Sequence, residues 1–147
     1  MGAVADPELI DVVERLAVSL VAITNAAITA GGAGLEPTFR QWRLLVVLGE
    51  AADGLRLADV TQAIGGSAPS ASRLVRRMEA RGLVAVQPDG ADRRAIRVHL
   101  TEDGARVRSA ILGARRELLG SGIARLTPSA ADVRSLRTVA AALDDWR

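Results

Sequence analysis

From Leu9 onward apolar residues recur at alternating spacings of four and three: Leu9, Val13, Leu16, Leu20, Ile23 and Ala27. That is the period of an α-helix. Ile10, Val12, Val21 and Ile28 widen the stripe, and a helix apolar on several sides needs cover on several sides. In so small a chain the expected extra cover is a second subunit. Asp6-Pro7 supplies a cap and a first helical residue, and Gly31-Gly32 a stop. A second helix is predicted from Pro37 to Ala51, carrying Phe39, Trp42 and the run Leu44 to Leu48, and it should cross the core. A short helix follows over Leu57 to Ile64, Gly65-Gly66 turns the chain, and a further helix runs from Ser67 to Arg81, closed by Gly82. Short helix, tight turn, second helix is a helix-turn-helix.

Beyond Gly82 the period changes to two. Ile96, Val98 and Leu100 point one way and Arg97 and His99 the other, which predicts a strand. It closes a hairpin whose loop is Pro88-Asp89-Gly90-Ala91-Asp92-Arg93-Arg94. Thr101 can cap a helix that runs to about Leu119 with Val107, Ile111, Ala114 and Leu118 on one face, and Gly120-Ser121-Gly122 should loosen or break it. Thr127-Pro128 is expected to start a last helix with Val133, Leu136, Ala140 and Leu143 on its apolar face. The fold class expected is therefore mainly α with a small two- or three-stranded β wing.

In the helix from Ser67, Ala71, Leu74, Val75 and Met78 fall at i, i+3, i+4 and i+7 and form the buried face. The opposite face is Pro69, Arg73, Arg76 and Ala80, flanked by Ser72 and Arg77. Small residues lead this helix, so its backbone can approach base edges, and Arg73 is long enough to reach guanine or a phosphate. In the hairpin loop Arg93 and Arg94 diverge by the pleat, and Asp92 can pair with Arg94 and aim its guanidinium at a narrow minor groove.

Charge distribution supports that placement. The formal net charge is only +2, yet residues 67–98 hold seven Arg against three acids, whereas residues 1–50 hold three Arg against six. The positive field is concentrated on the helix and hairpin, where a nucleic-acid footprint would sit. All 19 basic residues are Arg, whose planar fork suits phosphates and base edges.

Composition narrows the remaining classes. Hydrophobic residues make up 49% of the chain, ample for one domain's core. With no cysteine there is no disulfide and no thiol switch, and the single histidine, His99, reads as an outward strand residue rather than a metal ligand. No nucleophile–base constellation or phosphate-cradling glycine loop is present, so neither an enzyme nor a cofactor is expected. Leu16 to Leu35 carries no charge, but Ser19, Thr24, Asn25, Thr29 and three glycines interrupt it, and its leader is acidic. The expectation is a soluble, cytoplasmic protein without a membrane span.

Ser67-x-x-Ser70-x-Ser72-Arg73-Leu74-Val75-x-x-Met78-Glu79-x-Arg81-Gly82-Leu83-Val84, then Asp92-Arg93-Arg94, then Val98-x-Leu100-Thr101-x-x-Gly104 resembles the MarR family of multiple-antibiotic-resistance-type repressors, over essentially the whole chain. The resemblance implies an obligate homodimer held by its N- and C-terminal helices. Residues 1–36 would form an N-terminal dimerisation helix, 37–101 a winged helix-turn-helix lobe and 102–147 C-terminal dimerisation helices, in one integrated domain. It further implies a pseudo-palindromic double-stranded DNA operator as partner, with repression relieved by a small lipophilic or phenolic effector bound between the dimer base and the lobe. Ser67, Ala68, Pro69, Ser70, Ser72, Arg73, Arg76 and Arg77 would face the major groove. Arg94, oriented by Asp92, would enter the minor groove, with Arg93 at the backbone.

Three positions depart from the family pattern. Glu36 stands where a Ser or Thr cap is common, Asp59-Val60-Thr61 replaces Glu-Leu-Ala, and the last helix lacks its usual acids after Thr127-Pro128. Arg15, Phe39, Trp42 and Arg43 are the candidate effector contacts, against the alternative of core aromatics and surface arginines. The competing reading of the whole chain is a winged-helix module for protein assembly without DNA binding. It has no use for Arg73, Arg76 and Arg94 on one surface.

Overall fold

The computed structural model describes residues 6–32, 34–92 and 95–144. The chain order is α1 (Pro7–Gly31), α2 (Phe39–Glu50), β1 (Leu55–Arg56), α3 (Leu57–Ile64), α4 (Ala68–Ala80), β2 (Val84–Pro88), β3 (Ile96–Leu100), α5 (Glu102–Ile123) and α6 (Ala130–Asp144). The strands form one antiparallel sheet in the order β1-β3-β2. Val84 pairs with Leu100 and Gln87 with Arg97, while Arg56 lies opposite Arg97 on its other side.

The core is the lobe. Leu44, Leu45 and Leu48 of α2 meet Val60 and Ile64 of α3, Ala71, Val75 and Met78 of α4, Val84 and Val98 of the sheet, and Val107 and Ile111 of α5. The apolar face expected for α4 is the one buried, namely Ala71, Leu74, Val75 and Met78. By contrast α1 buries only Thr24, Ala27 and Ile28, near its C-terminal end. Leu9, Ile10, Leu16 and Val21 are exposed, Val18 is 72% exposed, and α6 buries nothing within the chain. By length and composition α1 could cross a membrane, and only 17% of its most apolar window is buried.

Close backbone approach fixes α5 in two places. A side chain at Gly104, in the first turn of α5, would collide with the Leu83 carbonyl, and one at Gly31 would come within 2.8 Å of the Ala110 carbonyl. The helix therefore sits directly against the start of β2 at one point and against α1 at another.

Three expectations about helix ends are corrected. The cap of α2 is Thr38, not Glu36: Gln41 N donates to Thr38 Oγ1 at 3.3 Å and Thr38 N donates to Gln41 Oε1 at 2.9 Å, a reciprocal capping box. Glu36 instead takes a positive φ of 32° ahead of the buried Pro37. Gly120-Ser121-Gly122 does not break α5, which continues to Ile123; each glycine costs only about 1 kcal/mol relative to Ala. The last helix begins at Ala130 rather than Thr127, and it has an acid in its first turn. Asp132 Oδ2 accepts from Ser129 N and Oγ, both at 2.8 Å, while Asp132 N donates to Ser129 Oγ at 3.2 Å.

Candidate nucleic-acid interface

The turn into α4 is built by two glycines with positive φ, Gly65 at 72° and Gly66 at 98°, a conformation side chains resist. Arg40 of α2 braces this turn. Its Nη2 donates to the Gly65 carbonyl at 2.7 Å and its Nη1 to Ser70 Oγ at 2.9 Å. The N-terminal end of α4 is thereby fixed to a core helix, although nothing in the local sequence ties Arg40 to a residue thirty positions away.

Ser67, Ala68 and Pro69 are exposed at the head of α4, and Ser67 makes no side-chain cap hydrogen bond. Ser70 and Ser72 are half-buried, and Ser70 is engaged by Arg40, so it serves the scaffold as well as the surface. Arg73, Arg76 and Arg77 are exposed. Among the described residues the ion pairs join Asp89 to Arg56 and Arg97, and Asp103 to Arg106, so none engages these α4 arginines. No acid lies in the first turn of α4, so the partial positive charge of its N-terminus is unopposed there and favours a phosphate.

The wing is organised by a residue that sequence reasoning passed over. Asp89, just past the end of β2, is 2% exposed. Its Oδ2 accepts from Arg56 Nε at 2.8 Å and from Arg97 Nη2 at 3.1 Å, and its Oδ1 accepts from Ala91 N at 2.8 Å and Asp92 N at 3.3 Å. The hydrogen bond from Arg56 and that from the Ala91 amide hold the carboxyl well below the usual carboxylate range, and the same contact raises the Arg56 guanidinium. Asp-Gly in a loop signals a turn, but no sequence signal pairs it with Arg56. Asp92 is exposed; Arg93 and Arg94, and with them the expected Asp92–Arg94 pair, lie outside the described residues.

The four candidate effector contacts are spread over the chain. Trp42 is 4% exposed and belongs to the core. Phe39 is 38% exposed at the start of α2. Arg43 donates from Nη2 to the Ala63 carbonyl at 2.9 Å and borders a hollow of about 670 Å³ with Val47, Leu55 and Asp59. Arg15 borders a different hollow, with Asp11, Glu14 and Val18. His99 is half-buried on β3, and among the described residues no group of three His, Cys, Asp or Glu side chains is placed to hold a metal.

Residues 33–95, from just after α1 to just before β3, match the MarR family. The matched segment is less than half of the chain. The fold is a winged helix-turn-helix of the MarR type. Solved structures share the chain's fold along nearly its whole length. RV1404 from Mycobacterium tuberculosis is 24% identical with a TM-score of 0.80, covering 97% of this chain and 100% of that one. CouR from Rhodococcus jostii, bound to p-coumaroyl-CoA, is 21% identical with a TM-score of 0.74, covering 99% and 98%. An S. aureus MepR variant bound to an oligodeoxyribonucleotide is 19% identical with a TM-score of 0.64, covering 92% and 96%. No curated protein matches the sequence.

Proposed function

We propose that the chain is a MarR-type DNA-binding transcriptional regulator, a cytoplasmic homodimer that represses a nearby gene by binding a pseudo-palindromic operator and is released by a small lipophilic or phenolic ligand. The observation that carries the DNA reading is the outer face of α4, where Ser67, Ala68 and Pro69 lead and Arg73, Arg76 and Arg77 follow, exposed and without an acid in the first turn. Small residues admit the backbone to the major groove, and the arginines reach bases and phosphates. Ser70 and Ser72 flank that face, and Asp92, Arg93 and Arg94 are assigned to the adjacent minor groove.

The dimer reading rests on uncovered apolar surface. Most of α1 and nearly all of α6 are exposed among the described residues of one chain. Pairing of residues 1–36 and 102–147 with their counterparts would bury that surface, leaving 37–101 as the DNA-binding lobe. It also accounts for the apolar length of α1 without a membrane. For the effector, support comes from α5, where Arg108 Nε and Arg115 Nε are buried without a hydrogen-bond partner among the described residues. An anionic group on a ligand would satisfy such nitrogens.

Fluorescence anisotropy on duplex from the chain's own upstream region, with scrambled duplex as control at two salt concentrations, tests the reading. Specific binding should weaken with salt by about 0.9 in log affinity per log salt for each phosphate neutralised. Equal, weak binding to both duplexes would remove the operator assignment.

A further inference from the structure

We infer that Asp89 is a positioning residue for DNA readout, setting the angle of the wing relative to the helix-turn-helix. The inference rests on the wing's minor-groove role proposed above. Carboxylates are seldom buried unless paired, and this one is shared among three separate parts of the lobe. Arg97 belongs to β3, the middle strand, and Arg56 to β1, the far edge. Arg56 is also the residue that immediately precedes α3, the first helix of the helix-turn-helix.

The register explains how one side chain reaches both. Arg56, Arg97 and Gln87 are cross-strand neighbours, and Asp89 lies two residues beyond Gln87 on the same face of the sheet. Two guanidinium groups placed side by side would repel; a carboxylate between them removes that repulsion. Arg97 Nη1 extends the connection to the carbonyls of Asp53 at 3.3 Å and Gly54 at 3.1 Å. On the other oxygen, the amides of Ala91 and Asp92 fix the direction in which the loop leaves β2. Asp89 thus joins the root of the loop to the start of α3 through charge-assisted hydrogen bonds.

The test is the preference of the protein for its operator flanks, measured on the tightest duplex selected from a random-sequence pool. Two duplexes are compared, one with selected flanks and one with A·T and G·C exchanged in the flanks only. Their affinity ratio does not depend on how much of a variant is folded. Wild type should prefer the selected flanks about tenfold, in the range of a base-pair mismatch. Asp89→Asn, which keeps an acceptor for the loop amides but loses the charge, should bring the ratio to about twofold or less, with Arg56→Gln falling between. A ratio kept at the wild-type value in both variants overturns this inference alone. Absence of any flank preference in wild type overturns the wing reading and this inference together. Should Asp89→Asn fail to fold, Arg56→Gln decides the matter.

Discussion

Arg40 Nη1 donates to Ser70 Oγ at 2.9 Å, so a residue of α2 holds the third residue of α4 in place. The same guanidinium reaches the Gly65 carbonyl and therefore spans the turn between α3 and α4. Arg40→Ala should weaken operator binding roughly tenfold, the equivalent of one charge-assisted hydrogen bond. Arg40→Lys should restore little, because a single ammonium lacks the fork that reaches both acceptors. Anisotropy alongside thermal melting checks this; unchanged affinity in Arg40→Ala would show that the brace is dispensable.

Arg73→Ala and Arg94→Ala should each cost about 1–3 kcal/mol in operator binding if each makes a good groove contact. A variant that loses a phosphate contact instead should bind all sequences more weakly and lower the salt slope by about 1. Titrations on operator and scrambled duplex separate the two outcomes. Affinity unchanged in Arg94→Ala would end the wing assignment.

Thr38→Ala removes the acceptor of the α2 capping box and should cost about 1 kcal/mol. For a chain of this size that is a fall of roughly 2–4 °C in Tm. Glu36→Ala should stay within about 0.5 kcal/mol, as for other exposed sites. Parallel thermal melts decide which residue caps the helix.

Acid should destabilise the fold partly through Asp89. Its folded pKa is depressed, so its contribution is present above the unfolded value of about 4 and is lost as pH falls below it. Between pH 5 and 8 this group should leave stability flat. Asp89→Asn should show a shallower loss of Tm on acidification, with a remainder from Asp132, which Ser129 also holds low. Melting curves from neutral to acid pH test the sign.

Val18→Glu places a charge on the exposed apolar side of α1. In the homodimer reading it should shift the protein toward monomer and weaken operator binding, because two half-sites are then no longer held together. Light scattering across a concentration series measures it. A dimer unchanged in strength would move the interface away from this face.

The features legible in the sequence are those set by short periods. The buried face of α4 follows from residues at i, i+3, i+4 and i+7, and β3 from strict alternation, since both depend only on neighbours. Thr38-x-x-Gln41 is also a readable capping box, but the family pattern points to Glu36 instead. The glycines at 120 and 122 carry a small local penalty that a long helix absorbs. Asp89 and Arg40 are not legible, because their partners lie 33 and 30 positions away and are brought near only by the folded sheet and turn.

The two glycine contacts of α5 give the molecule a mechanical property. Gly104 abuts the carbonyl of Leu83 and Gly31 abuts that of Ala110, at points about 9 Å apart along the helix axis at 1.5 Å per residue. Backbone against backbone leaves no compressible side chain between the parts. A tilt of α5 is therefore delivered to the lobe without slack, as a lever arm delivers rotation, and in the proposed homodimer the distance between the two lobes would follow the angle of one helix.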